Sequence, residues 1–219
     1  MSSCCTSSVS CEGTNRFFSK FSKRYAKQFK KKGLEKIQKY LLEGVRTEPV
    51  QSKRVLDIGC GVGGLHLTLL QEGAAYAVGV DAAEGMVSKA MAFARELGLA
   101  EKAEHILGDF VEQAASIGEA DITLMDKVVC CYGDLDTLIR VSASKTKRTL
   151  GLTHPSNNVL VRWFFKSHIA VLKLFKAKFH PFWHDWNVMD QTIRSLGFQP
   201  LYTNSTFLWQ ARVYRRSPS

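Results

Sequence analysis

The sequence has no run of about 18 uncharged apolar residues, so no membrane-spanning helix is expected from it. Its start, Met1-Ser2-Ser3-Cys4-Cys5-Thr6, lacks the apolar core that a secretory signal needs. Ser2 stands where N-myristoylation would require glycine. No CxxC spacing occurs, and the adjacent pair Cys4-Cys5 is a poor chelator, so reduced thiols in the cytosol are the expectation. Internal repeats and linkers are also missing. Residues 1–15, rich in Ser, Thr and Cys, read as a disordered tail, and residues 16–219 as one domain.

Acids are scarce at both ends. Residues 1–40 have a net charge of +8, residues 41–139 of −9, and residues 140–219 of +11. An acidic middle between basic flanks suggests a cofactor-binding core whose added segments meet an anion or a membrane surface. What is present otherwise is ordinary for a globular chain: 219 residues, 45% hydrophobic and 23% charged, enough for a sizeable core.

The run Arg54-Val55-Leu56-Asp57-Ile58-Gly59-Cys60-Gly61-Val62-Gly63-Gly64 reads as a strand, a tight turn and a helix start. Glycines let the backbone approach a ligand, and the free N–H groups of the helix start face it. Gly59, Gly61 and Gly64 fit the G-x-G-x-x-G dinucleotide fingerprint, while Asp57, Gly59, Gly61 and Gly63 fit acid-x-G-x-G-x-G. The acid decides, because a carboxylate there repels a pyrophosphate and attracts an ammonium or a sulfonium. The stretch resembles motif I of the class I S-adenosylmethionine (SAM)-dependent methyltransferases. That resemblance implies SAM as cofactor, its methionine part cradled by Asp57, Gly59, Gly61 and Gly63.

The rest follows in the family's order. Residues 75–81 are a second strand ending in Asp81, where a carboxylate can accept both ribose hydroxyls. Residues 103–110 are a third strand running into a G-D-F turn; the resemblance gives Asp109 the adenine amino group and Phe110 a flank of the ring. Strand four and its exit, 121–132, place Asp126 to Tyr132 beyond the carboxyl end of the sheet, facing the transferred methyl. Tyr132 would orient the acceptor. His154, at the end of strand five (148–155), is the candidate base. A helix over 187–196 and strands over 198–203 and 206–214, turning at Asn204-Ser205, finish the sheet as the family does. The fold expected is α/β: a Rossmann-like doubly wound sheet with a terminal antiparallel strand, N-terminal helices and an inserted amphipathic lid helix.

Two segments exceed that minimum. In 16–46, Phe18, Phe21, Tyr25 and Phe29 share one helix side, Gly33 interrupts, and a second apolar stripe follows, resembling the helical cap over a SAM pocket. In 156–186, Arg162, Lys166, Lys173 and Lys176 form a narrow basic stripe beside a wide apolar face. It reads as a lid over a hydrophobic pocket or, across 159–179, as a helix lying peripherally in a membrane interface. Pro181 argues against a helix joining His180 to His184, so no metal site is expected.

The runs "KKGLEK" and "DKVVCCYGDLDTLI", with the aromatic basic segment before the last helix, resemble magnesium-protoporphyrin O-methyltransferases and their small relatives. This implies methyl transfer to a small, flat aromatic or anionic acceptor, with O-methylation favoured. The N/D-P-P-Y signature of nucleobase amino-group methyltransferases is absent, so no specific nucleic-acid partner is expected. Three alternatives stay open: a thiol-assisted metalloid methyltransferase using Cys4, Cys5 and Cys130 or Cys131; an RNA-binding or RNA-modifying protein using the basic flanks; and a NAD-dependent oxidoreductase, which Asp57 disfavours.

Overall fold

The computed structural model describes residues 9–175, 177 and 179–217. Seven strands form one sheet: β1 Arg54–Ile58, β2 Tyr76–Asp81, β3 Ala103–Leu107, β4 Ala120–Met125, β5 Thr146–Pro155, β6 Phe198–Ser205 and β7 Trp209–Arg216. Their order is β3-β2-β1-β4-β5-β7-β6. Five strands run parallel, while β7 pairs antiparallel with both β5 and β6. The helices are α1 Val9–Lys32, α2 Lys36–Val45, α3 Gly64–Gln71, α4 Glu84–Glu96, α5 Phe110–Gln113, α6 Leu135–Ser144, α7 Val159–Leu174 and α8 Trp186–Ser195.

Central parallel strands are buried on both faces, which is why β1 and β2 read as near-continuous apolar runs. Alternation along each strand then divides the interior into two cores. Leu56, Ile58, Val78, Val80 and Met125 pack with Leu138 and Ile139 of α6 and Trp186, Met189 and Ile193 of α8. Val55, Ala77, Ile122 and Leu124 pack on the other side with Leu41 and Leu42 of α2, Leu67 and Leu69 of α3 and Phe93 of α4.

The expected elements are present with shifted ends, and two differences have physical causes. Helix α1 begins at Val9 rather than residue 16, so part of the expected tail is helical. Tertiary bonds hold that first half: Asn15 Oδ1 accepts from Glu84 N (3.2 Å) and Ser19 Oγ from Gly85 N (3.0 Å), so α1 caps the orphan N–H groups at the start of α4. Cys4 and Cys5 lie outside the described residues. The β6–β7 turn lies at 206–208 rather than at Asn204-Ser205, because both strands keep pairing to Ser205↔Gln210. Gly33, at φ +65°, ends α1, and Glu35 and Gln38 form a reciprocal capping box that starts α2. This corner hangs over the carboxyl ends of the strands.

Candidate active site

Strand order reverses between β1 and β4, and a crevice opens there beyond the strand ends. It holds a cavity of about 460 Å³. Its floor is the glycine turn, its sides are Asp81, Asp109, Phe110 and residues 126–128, and Phe18, Tyr25, Gln28 and Phe29 of α1 with Glu35 and Gln38 roof it.

Asp57 is 1% exposed, and its Oδ2 sits 2.8 Å from His66 Nδ1. The His66 Nε2 in turn lies 3.1 Å from His105 Nε2. The other Asp57 oxygen, Oδ1, is buried without a protein partner. A buried acceptor left so costs about 1–3 kcal/mol unless a ligand donor meets it. Gly61, at φ +55°, has nothing within 4 Å of where a Cβ would stand, so the space above it belongs to the cavity. An orphaned carboxylate oxygen beside an open glycine cradle fits a cationic amino-acid group. Gly59 serves differently: a Cβ there would lie 2.3 Å from Val128 Cγ2. Gly63 has a third part in the turn. It caps α3 in the left-handed conformation against Leu67, Ala90 and His66, and it shapes the turn without lining the cavity.

Asp81 accepts Gly61 N at Oδ2 and Ala83 N at Oδ1, each at 2.8 Å. Burial pushes its carboxyl up to about 6, with those two N–H groups opposing the rise. Asp109 caps α5 through Val111 N (2.8 Å), and the Tyr132 hydroxyl donates to the same oxygen at 3.0 Å. Burial and Asp109 hold the Tyr132 phenol above its ordinary range. Tyr132 lines the cavity and is tied through its hydroxyl to the G-D-F turn. Phe110 is buried and lines the same end.

Asp126 accepts the Thr153 hydroxyl at 2.6 Å and the Gln38 amide at 2.8 Å, and burial raises its carboxyl despite neighbouring Lys127. Lys127 has φ +59°, a strained conformation held by its N–H on Thr153 Oγ1 (2.8 Å) and its ammonium on Glu35 (2.6 Å). These ties bolt the α1–α2 corner onto the end of β4. Glu35 and Gln38 were missed as site residues, although their capping-box spacing is visible in the sequence.

His154 stands apart from the cavity. It is 0% exposed, stacks on Trp186 at 4.9 Å and points Nδ1 at Pro155 O (2.8 Å). Burial lowers it to about 4. It does not line the cavity, because its strand position turns the ring into the α8 core. Of the cysteines proposed for a thiol-assisted reaction, Cys131 lines the cavity and Cys130 is buried 4.0 Å away from it, sulfur to sulfur.

Residues 55–147 match a family model described as a methyltransferase domain. Magnesium protoporphyrin IX methyltransferase from Synechocystis PCC 6803, solved with bound SAH, superposes with a TM-score of 0.71 at 22% identity, covering 96% of this chain and 100% of that one. An O-methyltransferase family protein from Burkholderia thailandensis gives 0.68 at 14% identity, over 92% of this chain and 60% of that one. Sterol 24-C-methyltransferase from Gibberella zeae is 30% identical over 81 residues, 37% of this chain, and the match spans only 21% of that relative's length. The match over residues 55–147 is thus to a methyltransferase domain, and across the whole chain the likeness to these methyltransferase structures is one of fold.

Proposed function

We propose that the protein transfers a methyl group from SAM to the oxygen of a small, flat acceptor that reacts as a preformed anion, a carboxylate above all. SAM supplies an electrophilic methyl on a sulfonium. Asp57 Oδ1 would accept from its ammonium over the glycine turn, Asp81 from the ribose, and Asp109 with Phe110 would hold the adenine. Asp126, Gln38 and Glu35 fix the wall where the acceptor stands, and the aromatic roof excludes water. Positioning and desolvation then carry the reaction.

The observation that supports a base-free acceptor is the withdrawal of His154 from the cavity. A phenol would need a base at the acceptor oxygen, whereas a carboxylate needs none. The flat-acceptor class draws support from the aromatic roof of Phe18, Tyr25 and Phe29 and from the neighbour named for magnesium protoporphyrin IX.

Calorimetric titration with SAM, SAH and NADH tests the cofactor. SAM and SAH should bind and Asp57→Asn should weaken SAM more than tenfold; tighter NADH binding would reject the reading. Methyl transfer from labelled SAM is then screened over tetrapyrrole carboxylates, aromatic carboxylates and catechols. His154→Phe should keep its rate within about threefold, since loss of a general base costs roughly 100-fold or more.

A further inference from the structure

We propose that α7 and the β6–β7 turn form a docking face for an anionic lipid bilayer, with α7 lying in the plane of the headgroups. The helix touches the rest of the molecule along a narrow strip. At about 100° per residue, Val161, Leu172, Phe165 and Ile169 share a sector of about 80° and face inward. Val161 alone is fully buried, and Phe165 reaches Trp183 and Trp209 at ring distances of 5.8 and 6.1 Å. Arg162, Lys166 and Lys173 occupy the adjoining sector of about 40°. Beyond them Leu160, Trp163, Phe164, Val171, Leu174 and Phe175 lie on an arc of about 120°, and all are exposed. Trp163, Leu174 and Phe175 reach 71%, 78% and 78% exposure, far beyond scattered surface apolars.

A second chain segment extends this face. Ser156 N donates to Leu208 O at 2.9 Å, which sets the turn beside the start of α7, and there Phe207 is 62% and Leu208 44% exposed.

Charge selects the occupant. From residue 156 to residue 184 the sequence contains no acid and five lysines and arginines. A second copy would bring the same basic border against itself, whereas anionic headgroups would neutralise it while the Trp and Phe side chains enter the acyl boundary. Among the described residues no helix is long and apolar enough to cross a membrane, and α7, at about 24 Å, would lie in the interface. The chain leaving α7 runs to the cavity. Phe179 packs on Phe17 and Phe18 at 5.0 and 5.2 Å, and Phe182 N donates to Cys130 O at 2.7 Å. A docked molecule would thus take amphiphilic acceptors from the bilayer, a consequence that rests on the acceptor class proposed above; the docking face itself does not.

The test is flotation of the full chain with vesicles of phosphatidylcholine, with and without phosphatidylglycerol. The protein should float with the anionic vesicles only and be released by salt. The triple variant R162E/K166E/K173E and the double variant W163S/L174S should each lose at least tenfold in partitioning, since each basic residue removed near the surface costs roughly fivefold. Lys102→Glu, beside β3 at the far sheet edge, should change nothing. All these positions are exposed, so folding should survive, and a blue shift of tryptophan emission on anionic vesicles, absent in Trp163→Phe, reads docking without any loss of binding. No flotation, flotation that both α7 variants retain, equal binding to neutral vesicles, or a dimer that W163S/L174S dissolves would overturn the proposal. None of these readouts involves methyl transfer, so their failure leaves the proposed reaction standing.

Discussion

Asp81 combines burial with two backbone N–H donors, and the balance leaves its carboxyl at about 6. Below that pH the group is neutral and offers a ribose diol a poorer acceptor. If SAM binds the carboxylate, its affinity should fall about tenfold per pH unit below about pH 6. Asp81→Asn should bind weakly and without that slope. Calorimetry across this range checks it, and a flat wild-type profile would show that the ribose does not rely on the charge. Asp57 and Asp81 were legible in the sequence because each is fixed by a local rule, the last positions of a strand before a turn. His154 obeys the same rule yet does not line the cavity, since its ring stacks on Trp186 of α8, a tertiary partner that no local pattern announces. The buried chain Asp57–His66–His105 was illegible for the same reason.

At the level of elements, the glycine turn separates two jobs that the motif writes identically. Gly59 gives β1 a close passage past Val128, and Gly61 leaves room for a ligand. Gly59→Ala should therefore cost stability, about 1–2 kcal/mol for the left-handed backbone and about 1–3 kcal/mol more for the clash with Val128. Gly61→Ala should cost only the backbone part, about 1–2 kcal/mol, but should reduce SAM affinity more than tenfold by filling the cradle. Denaturant unfolding and calorimetry on both variants check this; equal losses of stability with equal losses of SAM would deny the division. Strands and their order could be read because parallel strands carry unbroken apolar runs ended by acids or glycines. Residues 9–15 of α1 could not, because they continue a Ser-, Thr- and Cys-rich stretch whose composition is that of a tail until Asn15 finds the start of α4.

For the whole molecule, acid stability is the sum of groups pulled in opposite directions. Burial lowers His154 and His105 to about 4 each, so both are held neutral in the fold but protonated in the unfolded chain between about pH 6.5 and 4. The unfolded state then binds more protons, and stability falls as pH falls through that window. Asp81, raised to about 6, acts with the opposite sign, gaining a proton in the fold first and so favouring the folded state on acidification. The raised Asp126 adds to that side, and the lowered His184 to the other. These terms hide one another in the wild-type curve, but a difference between two proteins isolates one of them. In His154→Phe every other group is retained, and the aromatic stack on Trp186 can persist. Its unfolding free energy relative to the wild type should therefore rise as pH falls from 7 to 5, by about 2 kcal/mol for a histidine moved from about 6.5 to 4. Urea unfolding of both proteins at the two pH values measures it. A difference that stays constant with pH would mean that His154 is not held neutral by the core, which would reopen its place near the reaction.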